Sequence, residues 1–162
     1  MNYEVIVKKL PGYMVYYKNG FVKNFSEIED FILKSGAECL KLNPNIKCIE
    51  PEYCYLNYLD GEYKNNNLNI RYAQAVKEEG ISNELIKFMK LEPVEAVCLY
   101  HKGSYDNIRN AYSFIMNYIE DNDYEVLDYS RERYIDGVWN KNDEKDYLTE
   151  IQVPIKKSNL LD

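Results

Sequence analysis

The sequence predicts a duplicated fold in which each half runs strand, strand, helix, strand, strand. Three observations predict it. The word Tyr58-Leu59-Asp60-Gly61 returns as Tyr134-Ile135-Asp136-Gly137. A break at Leu10-Pro11-Gly12 returns at Glu92-Pro93, each time between two stretches of strand character. A Gly-containing turn signal then precedes a helical stripe twice, at Asn19-Gly20 and at Lys102-Gly103. A repeat of about 80 residues is too long for a solenoid unit and too few for a propeller, so it reads as two halves related by pseudo-twofold symmetry.

The elements follow in order. Residues 2–8 alternate as a strand, with Tyr3, Val5 and Val7 on one face. Residues 13–18 form a second strand, and Asn19-Gly20 is expected to turn. The Ser-x-x-Glu pair Ser26 and Glu29 reads as a capping box, followed by the apolar stripe Ile28, Phe31 and Ile32. Ser35-Gly36 or the segment before Pro44 ends that helix. Strands are expected at 52–59, which is rich in Tyr and Cys, and at 68–77. In the second half, strands are expected at 84–90 and 94–101. A helix starts near Asp106 and carries Ile108, Ala111, Tyr112, Ile115, Met116 and Ile119 on one stripe. Strands at 130–136 and 147–156 close the chain.

Composition excludes several classes. The 162 residues are 46% hydrophobic and 29% charged, ordinary for a folded protein. No apolar run approaches the roughly 20 residues that span a bilayer, and the alternating start lacks a signal peptide's continuous apolar stretch. The expectation is a cytoplasmic protein with no membrane partner. The net charge of −7 repels phosphate backbones, and no basic recognition helix is visible, so direct nucleic-acid binding is not expected. Cys39, Cys48, Cys54 and Cys98 form no Cys-x-x-Cys pair and His101 is the single histidine. No metal site is expected, and the thiols read as reduced and mostly buried. No phosphate-binding or dinucleotide-binding glycine motif occurs, so no cofactor is expected. The 17 tyrosines suit a groove that is both apolar and wet.

The last strand holds the main candidate. Thr149, Ile151, Val153 and Ile155 share the face that a helix would cover. Glu150 projects the other way with Gln152, from the middle of the strand. Aligning Gln74 with Gln152 places Tyr72 opposite Glu150. Glu132 and Tyr134 share a face in the neighbouring strand, Trp139 lies just beyond it, and Tyr55 comes from the tyrosine-rich strand 52–59. Together they sketch two carboxylates ringed by aromatic faces, a site suited to a hydrophobic cation. Two carboxylates and a tyrosine, here Glu150, Glu132 and Tyr72, also suit acid–base chemistry.

Three segments carry a family resemblance: Ala96-Val97-Cys98-Leu99-Tyr100-His101-Lys102-Gly103-Ser104-Tyr105, then Arg131-Glu132-Arg133-Tyr134-Ile135-Asp136, then Tyr147-Leu148-Thr149-Glu150-Ile151-Gln152-Val153-Pro154-Ile155. They resemble the GyrI-like domain, the effector-binding domain of AraC- and MerR-type multidrug regulators. Ser104 stands where the family often has proline, and Gly20-Phe21 matches its Gly-Pro-Tyr more loosely. The resemblance implies one effector-binding domain over residues 1–157, with halves 1–80 and 81–157 and a loose tail at 158–162. It implies an α+β fold whose helices back curved antiparallel sheets, with a groove between the halves. It implies binding of bulky, cationic aromatic compounds, with ligand-facing acids on strands like those of Glu132 and Glu150. A stand-alone form would sequester such compounds or sense them. Two alternatives are implied: a hydrolase of strained cyclopropane-bearing compounds using the same groove, and a gyrase-inhibitor-like protein that meets gyrase or a regulator.

Overall fold

The computed structural model describes residues 3–61 and 64–157, so the tail at 158–162 lies outside the described residues. Chain order is β1 (Val5–Leu10), β2 (Tyr13–Asn24), α1 (Ile28–Leu42), β3 (Cys54–Tyr58), β4 (Asn66–Val76), β5 (Lys87–Leu91), β6 (Val94–Lys102), α2 (Ile108–Asp121), β7 (Tyr124–Val126), β8 (Arg131–Asp136) and β9 (Leu148–Lys157). The fold is α+β. The strand pairings within each part of the fold are antiparallel.

The chain divides into two compact units. Unit 1 comprises Met1–Leu10 with Val94–Asp162, and unit 2 comprises Pro11–Pro93. Unit 1 orders its strands β1-β6-β9-β8, with β7 also on β9. Unit 2 orders its strands β5-β2-β4-β3. The topologies match strand for strand, as the repeated words predict. The units do not follow the sequence halves 1–80 and 81–157, however. The first strand of each half joins the second strand of the other: β1 pairs β6, and β5 pairs β2. Each proline break separates two strands that do not form a hairpin with each other.

Each unit carries one helix. In unit 1, Ile108, Ala111, Ile115 and Ile119 of α2 pack with Val97 and Leu99 of β6 and with Ile151, Val153 and Ile155 of β9. The alternation in β9 thus sorts its faces as the sequence predicts. Met116, expected on the buried stripe of α2, is exposed. In unit 2, α1 lies on the side of Tyr16, Lys18 and Gly20. Lys18 pairs with Glu38 of α1 at 2.9 Å and sits 5.3 Å from the centre of the Phe31 ring.

Two local expectations are corrected. Asn19-Gly20 does not turn, because β2 runs through it to Asn24. The glycine is there for space: a Cβ on Gly20 would stand 2.2 Å from the Phe31 ring. Gly103 does turn, at φ +118, where only glycine is comfortable. The Ser26–Glu29 capping box does not form either. The Asn24 side chain instead accepts from the Ser26 N–H at 3.0 Å and caps a short 3-10 turn leading into α1. Ser104 does the same before α2, accepting from Asp106 N–H at 3.3 Å.

No helix is long and apolar enough to cross a membrane among the described residues. Among the same residues no cluster of three or more metal-ligating side chains occurs. None of the four cysteines forms a disulfide, and Cys39 and Cys98 are buried.

The unit 1 core gives a direct test. Ile115→Ala leaves a cavity against β6 and β9 and is expected to lower unfolding free energy by about 2–5 kcal/mol. Met116→Ala, one residue on and solvent-facing, is expected to change it by less than about 0.5 kcal/mol. Urea titration of both variants checks the burial order.

Candidate functional site

β9 holds a charged network on its face away from α2. Glu150 has no solvent exposure. Its Oε1 accepts from Arg133 Nη1 at 2.6 Å and from Gln152 Nε2 at 3.1 Å. Its Oε2 accepts from Lys8 Nζ at 2.7 Å. A buried carboxylate is tolerated only when paired and hydrogen-bonded, and this one is. The register explains how distant residues meet. Arg133 lies beside Glu150 across β8 and β9, and Tyr100 lies beside it across β6 and β9. Lys8 arrives on β1, two strands away, with its ammonium 5.9 Å from the centre of the Tyr100 ring. Burial and the Glu150 charge together push the neighbouring Cys98 thiol up to about 12, so it stays protonated.

Glu132 sits on the opposite face. The register sets it beside Ile151, on the α2 side, while Arg131 and Arg133 point the other way. Its Oε1 accepts from the Tyr134 hydroxyl at 2.9 Å, and its Oε2 accepts from the Tyr112 hydroxyl of α2. Two hydroxyls, rather than two cations, hold this buried group. Burial therefore dominates, and it raises the carboxyl pKa to about 7 despite both hydrogen bonds. Tyr134 also meets Tyr105 edge-on, and Tyr105 meets Tyr147.

The expected ring of two carboxylates is thus split by the sheet. Glu150 and Gln152 share one face, and Glu132 and Tyr134 share the other. Trp139 is 57% exposed, its ring lying against Gly137. Tyr72 also departs from expectation. In unit 2 it lies on the α1 side, buried against Tyr16, and its hydroxyl reaches Gln74 at 3.4 Å. Burial drives its pKa well above the usual tyrosine range. The face of unit 2 away from α1 belongs instead to Ala73, flanked in register by Tyr17 and Tyr55. Tyr55 packs there with Tyr53 and Tyr13, in a chain of rings 5.0 and 5.8 Å apart. Aligning Gln74 with Gln152 mixes the two faces, because an odd shift along a strand reverses every side chain. Lys8 does not figure in the sequence reading, and Arg133, Tyr100 and Tyr112 enter it only through the family segments or the α2 stripe, not as site residues. Arg133 had one signal, its alternation with Glu132; Lys8 had none.

The family model for the GyrI-like small molecule binding domain matches residues 3–156. This chain belongs to that family. It is a small-molecule binding domain. The C-terminal domain of EcmrR is 39% identical, with a TM-score of 0.90 over 98% of this chain and all of that one. EcmrR in its complex with DNA matches at 39% identity and a TM-score of 0.89, over 96% of this chain and 58% of that one. This GyrI-like chain thus spans little more than half of that protein. SAV2435 bound to tetraphenylphosphonium shares the fold, at 17% identity and a TM-score of 0.56 over 96% and 94% of the two chains. A hydrolase from Listeria innocua shares it too, at 9% identity and a TM-score of 0.65 over 94% and 92%. No curated protein matches.

Glu132 makes the stability of this GyrI-like domain depend on pH. Its folded pKa, about 7, lies above the ordinary value of 4.5. The folded state therefore favours the protonated form. That contribution is complete below about pH 4.5 and is lost as pH rises through about 7. The size is about 3 kcal/mol. Thermal unfolding from pH 5 to 8 is expected to show this decline, and Glu132→Gln is expected to flatten it.

Proposed function

We propose that this domain binds lipophilic aromatic cations on the unit 1 face away from α2, with Glu150 supplying the complementary charge. One observation carries the reading: a fully buried carboxylate whose balancing cations are themselves partly exposed. Lys8 is 37% exposed at its side chain and Arg133 is 25% exposed. A cationic ligand that reaches Glu150 replaces a solvated surface cation and brings aromatic area with it. Tyr100 and Ile6, both exposed, lie on this same face and supply apolar contact. An aromatic ring beside a carboxylate attracts a cation through its quadrupole as well as through charge. SAV2435, which shares the fold, carries a cation of this kind, tetraphenylphosphonium.

The likeness to EcmrR supports a sensing role. The chain corresponds to the C-terminal domain of a protein that binds DNA, so ligand binding here would report to a DNA-bound partner segment in the cytoplasm. The residues given, with a net charge of −7, are not expected to bind duplex DNA themselves. A mobility-shift titration of the purified chain at physiological salt checks this; a sequence-selective shift would overturn it.

The ligand reading is tested at Glu150. Glu150→Gln keeps the shape, removes the charge, and leaves Lys8 and Arg133 facing the ligand. Tetraphenylphosphonium is expected to bind about 1–3 kcal/mol more weakly to the variant. Neutral triphenylphosphine oxide is expected to lose much less. Calorimetric titration of both compounds decides it, and equal losses would remove Glu150 from the site.

A further inference from the structure

We infer that Lys8 is a built-in occupant of the cation site: its ammonium stands where a ligand's positive centre would stand, and a ligand must displace it. The inference rests on the cation-binding reading above and goes further, because it names the residue that sets the threshold for binding.

The two oxygens of Glu150 have different partners. Oε1 is held by Arg133 at 2.6 Å and by Gln152 at 3.1 Å, from the two strands at the centre of the network. Among the described residues, Oε2 is met by Lys8 at 2.7 Å and by no other donor. Removing the Lys8 ammonium would therefore uncover one carboxylate oxygen and leave the other anchored. The second contact of Lys8 is the Tyr100 ring, with the ammonium 5.9 Å from its centre. Carboxylate on one side and aromatic face on another is the environment an organic cation needs. Here the protein's own side chain already has it.

The rest of Lys8 fits a displaceable group. It sits on β1, at the edge of the unit 1 sheet, and its side chain is more exposed than that of Arg133. A lysine stem is flexible and its ammonium hydrates well, so it leaves for water at modest cost. The partly exposed ammonium keeps some of its hydration, so the cost of its departure lies in the uncovered Glu150 oxygen, which an incoming cation would cover. Burial would lower the Lys8 pKa, but the Glu150 carboxylate more than offsets this and holds it above the ordinary lysine value. Lys8 therefore stays charged across the physiological range and remains a competitor throughout. Arg133 is the fixed member of the network, being shorter in contact and less exposed.

The consequence is selectivity by competition. A neutral compound gains nothing by moving Lys8. A cation gains Oε2, but only by the difference between its own contacts and those of Lys8. Large aromatic cations would pass this threshold, because they add apolar area that an ammonium lacks. Small hydrated cations would not.

Calorimetric titration of wild type, Lys8→Met, Lys8→Gln and the double variant Lys8→Met/Glu150→Gln tests the inference. The probes are tetraphenylphosphonium and neutral triphenylphosphine oxide, with folding checked by circular dichroism. Lys8→Met and Lys8→Gln are expected to tighten phosphonium binding about tenfold and to change the neutral probe by less than about twofold. In the Glu150→Gln background, removing Lys8 is expected to bring no gain that depends on Glu150. If wild type binds phosphonium and neither Lys8 variant binds it more tightly, the occupant role is overturned while the cation-binding reading stands. If the gain is equal for both probes, Lys8 is only a steric cover and the inference fails. If no variant binds phosphonium, both readings fail together. Measurable binding in the Lys8 variants alone would support the inference in its strongest form.

Discussion

A carboxylate without solvent contact, placed at the centre of a sheet, has to be compensated where it stands. Water cannot do it, and leaving Glu150 unpaired would cost several kcal/mol. Much of unit 1 is arranged around that requirement. β8 brings Arg133 and β1 brings Lys8, and Gln152 on the same strand completes the shell. Three strands are tied to one side chain, and the pairings that bring them there also build the sheet. Charge compensation and strand register are a single constraint in this unit.

The two faces of β9 then take different work. Toward α2 the strand offers Ile151, Val153 and Ile155 to a dry core. On the other face it offers Glu150 and Gln152. Glu132, one strand over, shows what happens to an acid on the dry side. It finds hydroxyls from Tyr112 and Tyr134 and is driven toward the neutral form. Identical carboxylates on neighbouring strands thus meet different partners, cations for Glu150 and hydroxyls for Glu132, because alternation sends them to opposite faces.

This alternation is also what made the sequence legible. The period of two in residues 149–155 separated core from candidate site using nothing but the order of side chains. The stripe from Ile108 to Ile119 located α2 in the same way, and three small motifs together pointed to the family. What stayed hidden was pairing. Lys8 and Glu150 lie at opposite ends of the chain, and no local signal joins them. The exchange of β1 and β5 between the repeats is equally invisible, since each strand looks like its own half's first member. Tyr72 went to the wrong face because the repeated glutamines suggested an alignment that is out of step with the pleat. Asn19-Gly20 reads as a turn from its residue types, but the close approach of Phe31 gives the glycine another reason to be there.

The exchanged strands also order events during synthesis. Unit 2 has all of its strands once β5 has left the ribosome, so it can close while the rest of the chain is still being made. Unit 1 cannot. Its edge strand β1 is made before unit 2, but its partner β6 begins only at Val94, and β9 follows at Leu148. A short amphipathic strand with unpaired backbone groups must wait while all of unit 2 is made, a state prone to mispairing. The charge-compensating lysine waits with it. The network around Glu150 is therefore among the last native contacts this domain can make, because it needs β1 and β9 at once.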